Sequence, residues 1–114
     1  MKFYGLTLNL KDDPEAIASY KEYHRKVWPE VERSLRQVGI RRIRTFLHGR
    51  RLFMYMETDD DCDLDRALVR YLDDPRATEW EDLMRERFQE RLPDSKPGQW
   101  WLPMEPVYDL EHAP

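Results

Sequence analysis

Cysteine is nearly absent from this chain. A single residue, Cys62, stands among 114, so no internal disulfide is available, and its aspartate neighbours disfavour a reactive thiolate. Glycine is scarce too, with four residues, and no stretch rich in Gly and Ser interrupts the sequence. A single domain over residues 1–114 is therefore the expectation. Apolar runs fall short of the roughly 20 residues that cross a bilayer. The start also lacks the charged-then-apolar pattern of a secretory leader, which points to a cytoplasmic chain working away from membranes. A basic excess is missing as well: acids outnumber Lys and Arg by 23 to 19, for a net charge of −4. Nucleic-acid binding needs the opposite sign concentrated on one surface, so that class of partner is not expected. Arg41, Arg42, Arg44, Arg50 and Arg51 do cluster, but Asp59, Asp60 and Asp61 offset them, which reads as a solvated charged face or a subunit contact. His48 in a turn and His112 in the tail have no Cys, Asp or Glu converging on them at ligand spacing, so no metal site is expected.

What is present is a regular alternation of strand and helix signals. Phe3 to Leu10 is rich in strand formers and places Tyr4, Leu6, Leu8 and Leu10 on one side. Asp12-Asp13-Pro14-Glu15 then supplies a capping acid, a first-turn proline and an acid over the positive helix end. That helix is expected to reach Val38, with Gly39 as its left-handed stop and a kink near Arg25 to Trp28 imposed by Pro29. Ile40–Leu47 and Leu52–Thr58 form an antiparallel pair around Gly49. The second of these strands is apolar on both faces. A short helix, Leu64 to Leu72, precedes a longer one opened by Asp73-Asp74-Pro75 and carrying Trp80, Leu83, Met84 and Phe88. Trp101 to Leu110 is expected to close the chain as a fourth strand. The order predicts an α+β, ferredoxin-like chain, an antiparallel four-stranded sheet with helices on one face. The other face is left apolar and uncovered, and a second copy packing against it gives a homodimer, a dimeric α/β-barrel.

The third histidine, His24, differs from the other two. Tyr20, His24 and Trp28 recur at intervals of four, so on a helix they point the same way. His24 also falls within the apolar stripe of Ile17, Val27, Val31, Leu35 and Val38 and not on the charged side. Imidazole titrates near neutrality, and with a phenol beside it under an apolar roof it is suited to moving protons. A core histidine bonded to a carbonyl is the plainer reading of the same pattern.

The run Tyr20-x-x-x-His24-x-x-x-Trp28-Pro29-Glu30, one strand in from the start, resembles the signature helix of the L-rhamnose mutarotase family, which includes L-fucose mutarotases. The resemblance extends through Asn9-Leu10-Lys11-Asp12-Asp13-Pro14, Arg51-Leu52-Phe53-Met54, Glu79-Trp80-Glu81, Lys96-Pro97-Gly98 and Met104-Glu105. These segments are closer to the L-fucose-acting branch. The resemblance implies a dimeric ferredoxin-like protein that interconverts the anomers of a 6-deoxy-L-sugar without a cofactor, with His24 as the acid catalyst. It also matches Tyr20 and Trp80 to sugar-contacting positions. Where the rhamnose branch has a second adjacent tryptophan this chain has Glu81, and a further tyrosine of that branch aligns with Ile43.

Mutarotation opens a cyclic hemiacetal, so one group must protonate the ring oxygen while another takes the anomeric proton. His24 is expected to supply the proton, Tyr20 to orient or relay it, and Glu105 or a bound water to act as base. A monosaccharide wants flat aromatic surface under its C–H face and an apolar niche for its methyl, roles open to Trp80, Trp101 and Phe46. Two alternatives share the fold: a cofactor-free monooxygenase of aromatic polyketides and a non-catalytic dimeric ligand-binding module. The Tyr20–His24–Trp28-Pro29 pattern ranks the mutarotase first.

Overall fold

The structure is a computed structural model, described here over residues 1–112. Strand β1 (Lys2–Leu10) leads into helix α1 (Pro14–His24) and helix α2 (Pro29–Gln37). Strands β2 (Ile40–His48) and β3 (Arg51–Thr58) follow, then helices α3 (Leu64–Tyr71) and α4 (Pro75–Arg87). Two short strands, β4 (Gln89–Glu90) and β5 (Leu102–Pro103), and a 3₁₀ turn (Leu110–His112) complete the order. The sheet runs β2-β3-β1-β4 and is antiparallel throughout, with β5 also paired to β1. This is the expected ferredoxin-like α+β arrangement.

Local chemistry explains where the helices begin. Asp13 accepts from the Glu15 amide at 3.0 Å and Asp74 from the Arg76 amide at 2.8 Å, and each is followed by a proline that has no amide to leave unsatisfied. One helix was expected where the structure has two. Pro29 does not kink a continuous helix: α1 stops at His24, residues 25–28 leave the helical path, and Pro29 starts α2. The residue before a proline is driven out of the α region, and Trp28 accordingly sits at φ −60°, ψ 133°. His24 is thereby the last residue of α1.

The second correction concerns the sheet edge. The expected strand from Trp101 to Leu110 is reduced to Leu102–Pro103, and the fourth sheet position is shared by β4 beside Asn9 and Leu10 and β5 beside Leu6 and Thr7. Pro103 and Pro106 lack the amides a longer ladder needs. One further bond, from the Met104 amide to the Gly5 carbonyl at 2.8 Å, ends the pairing.

Register assigns the two faces. Leu6, Leu8 and Leu10 face the helices, with Met54 opposite Leu6 and Leu52 opposite Leu8, and Leu10, Leu52, Tyr20, Val31, Tyr71, Trp80, Met84 and Phe88 form the main core. Ser34 of α2 donates to the Tyr71 carbonyl at 2.8 Å and ties α2 to α3. Gly39, at φ +100°, ends α2 and returns the chain to the sheet. On the other face Phe46 and Phe53 stack with centroids 6.1 Å apart. Gly5 leaves room beneath them, since a Cβ there would lie 3.0 Å from the Phe53 ring, which would have to shift. Phe3, Phe46 and Phe53 all remain exposed on this face.

Candidate functional site

Ending α1 at His24 decides what that imidazole does. Its Nδ1 lies 2.9 Å from the Tyr20 carbonyl, one turn back. A carbonyl only accepts, so Nδ1 carries the proton and Nε2 holds the lone pair of the neutral ring. Nε2 has no hydrogen-bond partner among the described residues. The plainer expectation, a histidine bonded to a carbonyl, therefore holds for one ring nitrogen and leaves the other available.

Aromatic rings wall the imidazole. The Tyr20 ring lies against it at 4.1 Å between centroids and Trp80 of α4 presents its edge at 5.3 Å. Trp80 is itself fixed by Trp28 at 5.1 Å and Tyr23 at 6.0 Å, and the Arg76 guanidinium covers Trp28 at 3.8 Å. His24 as a residue is exposed, so its open edge meets solvent while its ring is packed. That packing withdraws water from the cation and pulls the His24 pKa below the ordinary imidazole value; the bond to the Tyr20 carbonyl opposes the shift without cancelling it. The resting imidazole at neutral pH is uncharged.

Tyr20 is 6 % exposed, yet its hydroxyl has no hydrogen-bond partner among the described residues. It is not sealed either: among the described residues the sealed side-chain polar atom without a partner is Gln89 Oε1. A phenol at the rim of a core with no protein partner is a donor held ready for water or a ligand. Burial first, and the nearby Glu81 charge second, push its pKa up, so it stays protonated and donates.

The structure brings Tyr20, His24 and Trp80 together. Trp101, half-buried just before β5, packs on the same helix-side core. Phe46 is not in this group: it is 57 % exposed on the opposite sheet face. Glu105 is exposed beyond β5, and no contact among the described residues joins it to His24. Sequence reasoning noted Glu81 only as a replacement and overlooked its partner. Tyr71 donates to Glu81 Oε1 at 3.0 Å, and desolvation raises the Glu81 pKa against the opposing effects of Tyr71 and Arg85. No group of three or more His, Cys, Asp or Glu among the described residues is arranged to hold a metal. None of the described helices is long and apolar enough to cross a membrane.

Comparison with known proteins gives a consistent result. The sequence profile of the L-rhamnose mutarotase family matches residues 4–110. An L-fucose mutarotase of Xanthomonas campestris pv. campestris is 43% identical over 108 residues, covering 93% of this chain and 86% of that protein. A UPF0734 protein of Dictyostelium discoideum is 42% identical over 114 residues, covering 96% of this chain and 90% of its own. Among solved structures, the L-rhamnose mutarotase of Formosa agariphila superposes with a TM-score of 0.71 at 20% identity, covering 96% of this chain and 99% of that one. At that identity the likeness is one of fold.

Proposed function

The chain belongs to the L-rhamnose mutarotase family, and from that premise we propose that it is an aldose 1-epimerase interconverting the α and β anomers of a 6-deoxy-L-sugar. L-Fucose is the first candidate, because the relative that is 43% identical is an L-fucose mutarotase; L-rhamnose is the second. The observation that carries the reading is the His24 ring, its Nδ1 tied at 2.9 Å to the Tyr20 carbonyl and its Nε2 open beside an unpaired phenol.

Ring opening moves one proton from the anomeric hydroxyl to the ring oxygen. The C1–O5 bond breaks, its electron pair goes to O5, and the carbonyl forms at C1. Neutral His24 accepts the anomeric proton on Nε2, and the imidazolium so formed is the acid that returns a proton to the sugar. His24 thus serves as acid after serving as base. Tyr20, protonated throughout, donates a hydrogen bond that orients the sugar or a relaying water. Rotation about C1–C2 exposes the other carbonyl face, and the steps reverse on closure. Acid–base assistance of this kind contributes about 10²–10⁴ in rate.

Trp101, half-buried, supplies apolar surface for the sugar's C–H face and methyl, and Trp80, 4 % exposed, backs the imidazole from the core. Phe46 lies on the opposite sheet face, away from this site. A second copy packs on that open face, where exposed Phe3, Phe46 and Phe53 favour a homodimer over a monomer. Saturation-transfer NMR on L-fucose and L-rhamnose tests the activity. Protein at catalytic concentration is expected to speed anomeric exchange of at least one sugar, and exchange equal to buffer for both refutes it.

A further inference from the structure

The imidazole that carries the proposed chemistry stands at the end of a helix, where backbone bonds hold it loosely. After His24 the Arg25 and Lys26 amides reach the Glu22 and Tyr23 carbonyls at 3.2 and 3.3 Å, and the chain then leaves the helical path as far as Pro29. Trp28 begins α2 without a side-chain capping bond. Helix ends fray where nothing holds them, yet the bond between His24 Nδ1 and the Tyr20 carbonyl, which leaves the lone pair on Nε2, requires the last turn of α1 to stay wound. The connection between α1 and α2 needs an outside support.

Side chains of α4 supply it. Arg76, in the first turn of α4, lays its guanidinium over the Trp28 ring at 3.8 Å, a cation–π contact. Glu79 accepts from that guanidinium at 2.7 Å, and Asp74 fixes the backbone of the same turn by accepting from the Arg76 amide at 2.8 Å. Trp28 in turn meets Trp80 at 5.1 Å and Trp80 meets His24 at 5.3 Å, both pairs edge to face. An unbroken run of contacts therefore leads from Glu79 through Arg76, Trp28 and Trp80 to the imidazole. Such ring pairs depend on direction as well as distance, so a Trp28 that swings away withdraws support from Trp80 and from the chain just after His24. The Arg76 and Glu79 side chains are both substantially exposed, and an ion pair of that kind adds little to folding stability. What it fixes is geometry.

Resting on the mutarotase reading, we propose that Arg76 is a positioning residue for anomeric exchange: stacked on Trp28 and steered by Glu79, it pins the α1–α2 connection and the Trp80 wall so that His24 presents Nε2 to the sugar. It acts through Trp28 and Trp80 and not on the substrate. A cation–π contact favours the pinned arrangement over a displaced one by about 2- to 30-fold, from exposed to desolvated cases, which sets the scale of the loss when the guanidinium is removed.

Exchange of L-fucose and L-rhamnose is measured by saturation transfer at several sugar concentrations for the wild-type chain, Arg76→Met, Arg76→Lys and Glu79→Gln, with folding checked by circular dichroism. The nitrogen NMR spectrum of the His24 ring is recorded without sugar. Arg76→Met is expected to lower kcat by about 2- to 30-fold with KM little changed, because no sugar contact is removed, and to move the His24 spectrum from the Nδ1-protonated tautomer toward a mixture of tautomers. Arg76→Lys, which keeps a cation over the indole, recovers most of the rate. Glu79→Gln loosens the guanidinium without emptying the stack, shows both changes at smaller amplitude, and replaces Arg76→Met in the test if that variant does not fold. A folded variant of this pair with the wild-type kcat, or with the wild-type His24 spectrum, overturns the inference alone. A wild-type chain inert toward both sugars overturns the functional reading and the inference with it.

Discussion

Replacing Tyr20 by Phe separates function from stability at one atom. The hydroxyl has no hydrogen-bond partner within the described chain although the residue is 6 % exposed. A hydroxyl that loses a protein partner on mutation usually costs about 0.5–1.5 kcal/mol; here no partner is lost. The ring contacts with His24 at 4.1 Å and Phe88 at 6.1 Å survive in phenylalanine. Stability should therefore hold within about 0.5 kcal/mol of wild type or rise, less than about 4 °C in Tm for a domain near this size. The exchange rate should fall, because the sugar or its relaying water loses one donor worth about 0.5–1.5 kcal/mol, roughly 2- to 13-fold. Calorimetry and saturation-transfer NMR on the same sample read both quantities. A variant that melts well below wild type while exchanging the sugar at full rate refutes the reasoning, since the hydroxyl would then be structural.

The remaining predictions concern the imidazole, a turn and the open face. With the His24 pKa lowered by desolvation, the neutral form prevails at and above the ordinary imidazole value of about 6.5, so exchange should be flat there and decline only at more acidic pH. The folded state binds fewer protons than the unfolded state below that value, so His24 also makes stability fall as pH drops toward its folded pKa. A rate that climbs on acidification contradicts the assignment. Gly39→Ala forces a side chain into φ +100° with its Cβ 3.3 Å from Cys62 Cβ, and calorimetry should show a loss of at least about 1 kcal/mol. Phe46→Glu should leave a folded monomer in sedimentation velocity where wild type sediments as a dimer; a monomeric wild type removes the proposed pairing of sheet faces.

The sequence carried those parts of the fold that rest on local chemistry. Asp-Asp-Pro twice announced a helix start because capping and first-turn proline act within four residues, and Gly39 and Gly49 marked their turns because both need positive φ. Pro29 was seen, but whether a proline kinks or divides a helix depends on what the flanking turns pack against. The aromatic packing of Trp28 against Trp80 and Arg76, from two distant segments, accompanies the division here. The fourth strand was overdrawn because alternating apolar residues from Trp101 onward look like a strand, and the prolines that shorten it act one hydrogen bond at a time. At the site, Tyr20 and His24 were legible from their spacing on one helix. The Tyr71–Glu81 bond was not, because it joins residues of α3 and α4 whose approach is set by tertiary packing.

The most direct test of the account is anomeric exchange of L-fucose and L-rhamnose by saturation transfer, comparing wild type with His24→Ala. The alanine variant loses ring contacts worth about 0.5–1.5 kcal/mol each, too little to unfold a domain of ordinary stability. Any large loss of rate then belongs to the chemistry. Wild type should accelerate exchange and the folded variant should be slower by about 10²–10⁴. A folded His24→Ala variant that matches wild type contradicts the central claim.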